Sequence, residues 1–247
     1  MAKQAIIKLR VKRSLSIIIP AYNEAKRLPA SLVKVGEYLS AAQWDFAEVL
    51  VVDDGSTDNT VQVAREAGVR VVSNPGNRGK GYSVKHGMLE AKGEWVLFTD
   101  ADLSSPIGEV EKLWSAVERE GAQVAIGSRA LDRSLVGVHQ PLLREAVGRV
   151  FNAAMRLITG LDFKDTQCGF KLFQTSAGRE VFSRQLLDGF GFDVEVLFIA
   201  KKLGLKSVEV PVRWDNVEGS KVSLLLGFVA FLDLLKVHRN ALQGKYK

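Results

Sequence analysis

The sequence predicts an α/β fold in which a mostly parallel sheet is flanked by helices. Short apolar runs alternate with segments of helical spacing, a pattern typical of parallel sheets with crossover helices. The apolar runs are continuous, as expected of strands buried on both faces. Length and composition agree, since 247 residues with 47% hydrophobic and 25% charged residues suit a single α/β domain and exclude wholesale disorder or a coiled coil.

The first half of the chain supplies five predicted strands and four predicted helices. The strands span residues 15–19, 49–52, 69–72, 95–98 and 124–126. The helices span residues 29–42, 57–67, 80–91 and 107–119. Because strand and helix alternate, we expect the strands to be parallel.

The rhythm changes after residue 128. Residues 141–158 have an amphipathic helical pattern, a further helix is predicted near 193–203, and residues 207–214 have a strand-like pattern. The apolar stretch over 224–240 predicts a C-terminal amphipathic helix. Two positions are open to that helix, on the core of the domain or in a membrane interface.

Composition excludes several classes of site. The single cysteine, Cys168, excludes an internal disulfide framework and a cysteine-based zinc site, and three scattered histidines argue against a histidine-rich metal site. No apolar stretch reaches the ~18 residues that a membrane span requires. The net charge of +6 is concentrated at both ends of the chain; such clusters aid solubility and also attract anionic lipid or nucleic acid.

Polar residues gather where the predicted strands end. In open α/β sheets, ligands bind beyond the carboxyl ends of the strands. Four successive strand ends are followed by acids, glycines or amides, at residues 20–24, 53–56, 74–81 and 100–102. We therefore expect a ligand site at this edge of the sheet.

Asp100 and Asp102 are the strongest candidates for chemistry. Two residues apart at an extended strand end, their side chains point the same way. Carboxylate oxygens suit Mg²⁺ or Mn²⁺, and such an ion would help a diphosphate to leave. An isolated Asp-x-Asp is more often a solvated turn, but the position after the fourth strand favours a metal site.

Two further strand ends carry candidates. Asp53 is placed to accept hydrogen bonds from a nucleobase or ribose, whereas Asp54 is predicted to cap the following helix. The loop over 74–81 matches neither common glycine-rich nucleotide motif. It is interpreted as a tight turn that opens a helix, with Lys80 as a candidate ligand contact.

Several motifs, in this order and spacing, resemble the inverting family 2 glycosyltransferases of the GT-A (Rossmann-like) fold. They are SIIIPAYNEAKRLP, VVDDGSTDNT, NRGKGYSVKHG, FTDADLSSP and GSRA. The later segments are more narrowly similar to the dolichyl-phosphate β-glucosyltransferases and dolichol-phosphate mannose synthases: DTQCGFKLF, GFDVEVLFIAKKLG and VRWDNVEGSK. The resemblance covers residues 14–240 and implies transfer of a hexose from a nucleotide sugar, with UDP-glucose preferred, to a polyprenyl phosphate.

The resemblance implies roles for the residues that match the family's motifs. With Lys80 added, the nucleotide-sugar site comprises Pro20, Tyr22, Glu24, Val51, Asp53, Lys80, Asp100, Ala101, Asp102 and Lys221. The metal ligands are Asp100 and Asp102, with Mg²⁺ or Mn²⁺ as the cofactor. The catalytic candidates are Asp100, Asp102, Arg129 and Asp193.

The acceptor phosphate must be held near the donor's diphosphate, which requires cations. Arg129, Arg144 and Arg149 are the candidates, because the planar guanidinium binds phosphate oxygens bidentately; for the last two, a solvated helix face is the alternative. Asp193 stands where relatives acting on hydroxyl acceptors would hold a base, and capping of the next helix is its alternative role. A phosphate monoester has a second pKa near ~6 and needs no strong base.

We expect a single domain over residues 1–240, with a nucleotide-sugar half at 14–128, an acceptor half at 129–240 and a basic tail at 241–247. The expected partners are a nucleotide-sugar donor, a polyprenyl phosphate acceptor and an anionic membrane surface, with no nucleic acid. The expected location is cytoplasmic, peripherally attached to the cytosolic face of the membrane.

Some alternatives remain at the level of sequence. Uridine versus guanosine and glucose versus mannose stay open, so a GDP-mannose-dependent synthase or a family 2 transferase with another acceptor is the second reading. A non-catalytic lipid- or nucleic-acid-binding module would explain the basic ends but not the acid-bearing strand ends. A sugar nucleotidyltransferase or a dehydrogenase would carry a glycine-rich loop after the first strand, and residues 20–29 contain no glycine.

Overall fold

The structure, a computed structural model, describes residues 13–138, 142–217 and 224–247, with side chains described outside 138, 142–150 and 224–230. Nine strands lie in these ranges: β1 (Ser14–Ala21), β2 (Phe46–Asp53), β3 (Arg70–Ser73), β4 (Trp95–Thr99), β5 (Val124–Ser128), β6 (Val136–Val138), β7 (Phe170–Gln174), β8 (Ser207–Pro211) and β9 (Trp214–Asp215). Eight helices accompany them: α1 (Leu28–Ala41), α2 (Thr60–Glu66), α3 (Lys80–Glu90), α4 (Val110–Glu120), α5 (Leu142–Thr159), α6 (Thr175–Ser183), α7 (Phe192–Lys202) and α8 (Leu224–Leu242).

Seven strands form one sheet in the order β3-β2-β1-β4-β7-β5-β8, and β6 pairs with β9 in a separate two-stranded sheet. All pairs in the large sheet are parallel except those of β7, which runs antiparallel to both β4 and β5. The predicted α/β fold with a mostly parallel sheet is therefore confirmed. The five strands predicted in the first half are all present, with ends that differ by a few residues.

The sequence prediction missed β7 and α6. The strand reads FKLFQ, and a lysine in the middle of an apolar run argues against a buried central strand. Lys171 is nevertheless fully buried, because a carboxylate meets its ammonium group inside the protein. The partner is Asp193.

The sheet is covered on both faces. Along β1, Ile18 packs into one core cluster with residues of α3, α6, α7 and α8, while Ile17 and Ile19 pack into the other with residues of α1 and α4. This alternation follows from the two-residue period of a strand. Both faces are apolar, which is why the strands show continuous hydrophobic runs in the sequence.

The predicted C-terminal helix is present as α8, and its two sides differ. Leu234 and Val237 are buried in the core, and the Phe231 ring contacts Phe151 of α5 with ring centroids 5.2 Å apart. Leu232 and Leu235 are 44% and 57% exposed. The helix thus covers the core with one side and presents apolar side chains on the other. None of the helices in the described ranges combines the length and apolarity needed to cross a bilayer.

The end of the chain is anchored to the interior. Tyr246, in the segment expected to be a basic tail, is 2% exposed and donates its hydroxyl to Glu195 Oε1 at 2.6 Å. Glu195 is fully buried and also accepts from the backbone N–H groups of Leu186 (3.1 Å) and Leu187 (2.8 Å). Burial raises the pKa of Glu195, although these donors oppose the rise. The carboxylate ties the chain end to the loop before α7.

Replacing Tyr246 by Phe is expected to lower the free energy of unfolding by about 1–3 kcal/mol, since a buried acceptor loses one donor. Urea unfolding measures the change. Tyr38→Phe is the matched control, because the Tyr38 hydroxyl also donates to a carboxylate, that of Glu111 at 2.7 Å. The Glu111 side chain is 44% exposed, so water replaces the lost donor. Equal losses in the two variants would contradict the anchoring role of Glu195.

Candidate functional site

The carboxyl ends of β1, β2, β3, β4 and β5 lie along one edge of the large sheet, because these strands all run in the same direction. The segments that follow them, together with the loop before β7, bring most of the predicted site residues to this edge. The strand register pairs Ala21 with Asp53 across β1 and β2. The chemistry expected from four strand ends can thus meet in one place.

The two predicted metal ligands sit in a tightly built turn after β4. Ser104 donates to Asp102 Oδ1 through both its backbone N–H and its hydroxyl, each at 2.9 Å, which leaves the second carboxylate oxygen of Asp102 for other partners. The carbonyl of Ala101 accepts from the Ser31 hydroxyl at 2.6 Å. Leu103 has a left-handed φ of 48°, an arrangement that costs energy in a non-glycine residue and recurs at functional sites.

Asp100 is half-exposed and is bound by Lys80, whose Nζ lies 2.6 Å from Asp100 Oδ1. Behind it, Gly169 packs so closely that an added Cβ would lie 2.1 Å from Asp100 Oδ2. Burial lowers the pKa of Lys80, but the carboxylates of Asp100, Asp193 and Asp102 outweigh burial and the net pKa is raised. The three carboxylates therefore stabilise the positive charge of Lys80.

The residues predicted to surround the nucleotide differ in what they can offer. Tyr22 is 37% exposed, and Asp53 is almost fully buried and accepts from Ser56 N at 3.2 Å. Glu24 binds Arg27 through both carboxylate oxygens, at 2.7 Å each. Pro20 is half-buried and lies within β1. The Val51 side chain is fully buried in the core, so its contribution to the site is packing beneath the nucleotide residues.

Asp54 does not cap α2, contrary to the prediction. Its oxygens accept from Arg78 N (2.9 Å), Gly79 N (2.8 Å) and Asn74 Nδ2 (2.8 Å). These donors lie in the loop before α3. The Asp54 carboxylate therefore holds the loop that leads to Lys80. The local sequence did not predict this role, because the contact joins the end of one strand to the loop after the next strand.

Arg129 follows β5 and is held by Asp165, which the sequence analysis did not single out. The guanidinium donates to Asp165 through Nε at 2.6 Å and through a terminal nitrogen at 2.8 Å. Burial alone would raise the pKa of Asp165, but Arg129 lowers it overall. The Arg129 guanidinium also lies 5.4 Å from the centre of the Trp214 ring. The available signal for Asp165 was its place in the DTQCGFKLF motif.

Asp193 is in the first turn of α7 and is buried against Lys171 of β7, with the ammonium nitrogen 2.5 Å from Asp193 Oδ1. Lys171 also donates to the Cys168 carbonyl at 2.6 Å. Burial raises the pKa of Asp193, and the ammonium groups of Lys171 and Lys80 oppose this rise. Asp193 is therefore one of the carboxylates near Lys80, and its ion pair with Lys171 connects it to β7.

Three predicted residues cannot be placed against the site. Lys221 lies outside the described residues, and Arg144 and Arg149 lie in α5 with side chains outside the described set. Within the described residues, no group of three or more histidine, cysteine, aspartate or glutamate side chains is arranged to hold a metal ion. The predicted metal site therefore has two carboxylates, Asp100 and Asp102, and an ion at such a site would take its remaining ligands from phosphate and water.

Comparison with known proteins identifies clear relatives. The family model described as "Glycosyl transferase family 2" matches residues 16–182. The chain is 39% identical to the dolichyl-phosphate beta-glucosyltransferase of Drosophila melanogaster, covering 85% of this chain and 69% of that protein. It is 35% identical to the Homo sapiens protein of the same name (95% and 78% covered) and 33% identical to the Saccharomyces cerevisiae protein (94% and 76% covered).

Solved structures show the same fold. Glucosyl-3-phosphoglycerate synthase from Mycobacterium tuberculosis, in complex with uridine diphosphate, superposes with a TM-score of 0.67 at 24% identity and covers 92% of this chain and 80% of its own. The complex of that protein with Mn²⁺, uridine diphosphate and glucosyl-3-phosphoglycerate superposes with a TM-score of 0.68. At this level of identity the likeness concerns the fold.

Proposed function

Because the chain belongs to glycosyl transferase family 2, we propose that it transfers glucose from UDP-glucose to a polyprenyl phosphate of the dolichyl type, with inversion at the sugar carbon. The observation that carries this proposal is the meeting of Asp100, Asp102 and Lys80 at the carboxyl edge of the sheet. Relatives at 33–39% identity named dolichyl-phosphate beta-glucosyltransferase support the choice of sugar and acceptor.

The metal is assigned to Asp100 and Asp102. Their oxygens fit Mg²⁺ or Mn²⁺, because such ions are commonly held by one or two carboxylates with the remaining positions filled by substrate phosphates and water. The Mn²⁺ complex of the synthase with the same fold supports a divalent ion. When bound, the ion supplies charge that stabilises the departing diphosphate. The two hydrogen bonds from Ser104 orient the Asp102 carboxylate for this role.

The acceptor needs little activation. A phosphate monoester is largely deprotonated at neutral pH because its second pKa is near ~6, so its oxygen can attack the sugar without a strong base. Asp193, buried and bound to Lys171, is then a positioning residue that adds negative charge beside Lys80. The work of the site is to align two anionic groups that repel each other and to exclude water.

Arg129 is assigned to the acceptor phosphate, with Arg144, Arg149 and Lys221 as further cations. Asp165 orients the Arg129 fork through two hydrogen bonds. A guanidinium keeps its charge at any relevant pH. This gives the acceptor half, residues 129–240, the role of holding the lipid phosphate, while residues 14–128 hold the nucleotide sugar within one domain.

The proposal is tested with a matrix of donors and acceptors. UDP-glucose and GDP-mannose are each offered with a short polyprenyl phosphate, with 3-phosphoglycerate or with no acceptor, in Mg²⁺, Mn²⁺ or excess chelator. We expect organic-extractable glucosyl lipid from UDP-glucose with metal. Mannosyl lipid from GDP-mannose would overturn the donor, and transfer to 3-phosphoglycerate alone would overturn the acceptor.

A polyprenyl acceptor places the enzyme at a membrane surface, and we propose peripheral attachment on the cytosolic face. The exposed leucines of α8 support this, since apolar side chains on one helix face can enter the interface. We expect the protein to float with anionic vesicles and Leu232→Ser/Leu235→Ser to reduce the bound fraction severalfold. Leu89→Ser is the matched control, because Leu89 of α3 is 42% exposed. Flotation unchanged in the double variant would exclude α8 as the contact.

A further inference from the structure

Lys80 occupies an unusual position for a residue that is to meet a ligand. Its ammonium group lies 2.6 Å from Asp100 Oδ1, and its side chain is 16% exposed while that of Asp100 is 37% exposed. Asp193 and Asp102 add further negative charge at the same point. The lysine therefore already fills the role of a counter-cation to the predicted metal ligands.

The backbone that carries Lys80 is fixed from two sides. Gly79 donates its N–H to Asp54 and has a φ of 105°, and an added Cβ there would lie 2.5 Å from the Asp188 carbonyl oxygen. At Gly81 an added Cβ would lie 2.6 Å from the Leu187 carbonyl oxygen. The main chain on both sides of Lys80 is therefore closely packed against residues 187 and 188. Rotation of the Lys80 side chain would release Asp100 and leave this packing in place.

We propose that Lys80 competes with the divalent ion for Asp100, so that the metal binds well only together with the donor diphosphate. This inference rests on the proposed function, which assigns the metal to Asp100 and Asp102. A lone dication approaching Asp100 meets the Lys80 ammonium group, which lies 2.6 Å from Oδ1, and like charges repel more strongly in a partly buried site than in bulk water. The lysine occupies part of the binding capacity of Asp100 Oδ1, and its charge opposes an ion at either oxygen of that carboxylate.

The donor changes this balance because it brings negative charge. A diphosphate offers oxygens to the metal and, at the same time, a new anionic partner to the Lys80 ammonium. The cost of removing Lys80 from Asp100 is then offset by the new ion pair. Metal and nucleotide sugar should accordingly bind with positive coupling, each raising the affinity of the other by the same factor.

A purely structural salt bridge would not explain the arrangement. Asp100 is half-exposed, and ion pairs with exposed partners contribute little to stability. The stem of Lys80 is buried, and burial opposes its charge. An apolar side chain could fill the space of the Lys80 stem, whereas a charge that changes partners requires an ammonium group.

The test is a titration of the whole protein with Mn²⁺ in the absence of nucleotide, followed by electron paramagnetic resonance of the free ion. We expect Lys80→Met to bind Mn²⁺ about tenfold more tightly than wild type, since a nearby positive charge has been removed. Lys80→Arg should stay within twofold of wild type. Lys92→Met is the matched control, because Lys92 is exposed and the same net charge is lost. The gain should disappear in the double variant Lys80→Met/Asp100→Asn.

A second titration with uridine diphosphate and Mn²⁺ together should invert the order, with Lys80→Met binding the pair more weakly than wild type. Circular dichroism reports whether Lys80→Met folds, and Lys80→Gln serves as the neutral replacement if it does not. Mn²⁺ affinity in the neutral variant that is equal to or below that of wild type overturns the competition. Failure of the proposed function is visible separately, as wild-type protein that binds no uridine diphosphate even with Mn²⁺.

Discussion

Asp102→Asn is expected to lower the transfer of glucose to a short polyprenyl phosphate by at least about 10³-fold, because the diphosphate loses metal stabilisation worth several kcal/mol. The amide keeps one oxygen that can accept the two hydrogen bonds from Ser104. The turn should therefore survive, and the variant should melt within a few degrees of wild type. Turnover is measured with saturating donor and Mn²⁺, so that the loss is not a simple change in donor affinity.

The chain offers a close control for this substitution. Asp132 accepts from the backbone N–H of Ser134 at 3.0 Å and from its hydroxyl at 2.7 Å, both at Oδ1, so it repeats the hydrogen-bonding pattern of Asp102 at an exposed position. Asp132→Asn should leave turnover unchanged within about twofold. Full activity of Asp102→Asn, or of wild type in excess chelator, would remove the metal from the mechanism.

Lys171→Met is expected to destabilise the protein by about 3–5 kcal/mol, because it leaves the carboxylate of Asp193 buried without its partner. Urea unfolding provides the measurement. The double variant Lys171→Met/Asp193→Asn should recover much of the loss, since neither charge then remains. A double-mutant cycle in which the two losses simply add would contradict a direct pairing.

The loss should depend on pH in a defined direction. Burial already raises the pKa of Asp193 in the folded protein, and removal of Lys171 takes away a charge that opposes this rise. A carboxyl whose folded pKa exceeds its unfolded pKa binds more protons in the folded state, so stability falls as pH rises between those two values. Lys171→Met should therefore be least destabilised near the ordinary carboxyl pKa of ~4 and most destabilised at neutral pH. A stability of Lys171→Met that rises with pH over this range would show that the Asp193 carboxylate is not the unpaired buried charge.

The parts of the fold that the sequence predicted are those set by local pattern. The strands β1 to β5 are continuous apolar runs, and such runs have one common explanation. The strand β7 was missed because Lys171 interrupts its apolar pattern. The burial of this lysine depends on Asp193, 22 residues further along the chain, and no local pattern contains that pairing.

The candidate site shows the same division. The sequence predicted that Asp100 and Asp102 follow the fourth strand, but the structure places both in a turn beyond β4, so the two-residue period of a strand does not set their direction. Lys80 lies beside Asp100. The role of Asp54 was predicted from the nearest helix, but its partners are 20 to 25 residues away in the loop before α3. Likewise Asp165, the partner of Arg129, is 36 residues distant. Such contacts follow from the order of strands in the sheet.

The antiparallel strand β7 also determines when the large sheet can be completed during synthesis. Among the described strands, β5 is hydrogen-bonded only to β7 and β8, both of which come from the later part of the chain. During synthesis, β1 to β4 can pair as soon as they emerge, but the open side of β4 stays uncovered until residue 174 has been made. Such an open edge is a site for wrong pairing between chains. A fragment ending near residue 128 should therefore aggregate, although it holds most of the residues predicted to bind the nucleotide sugar.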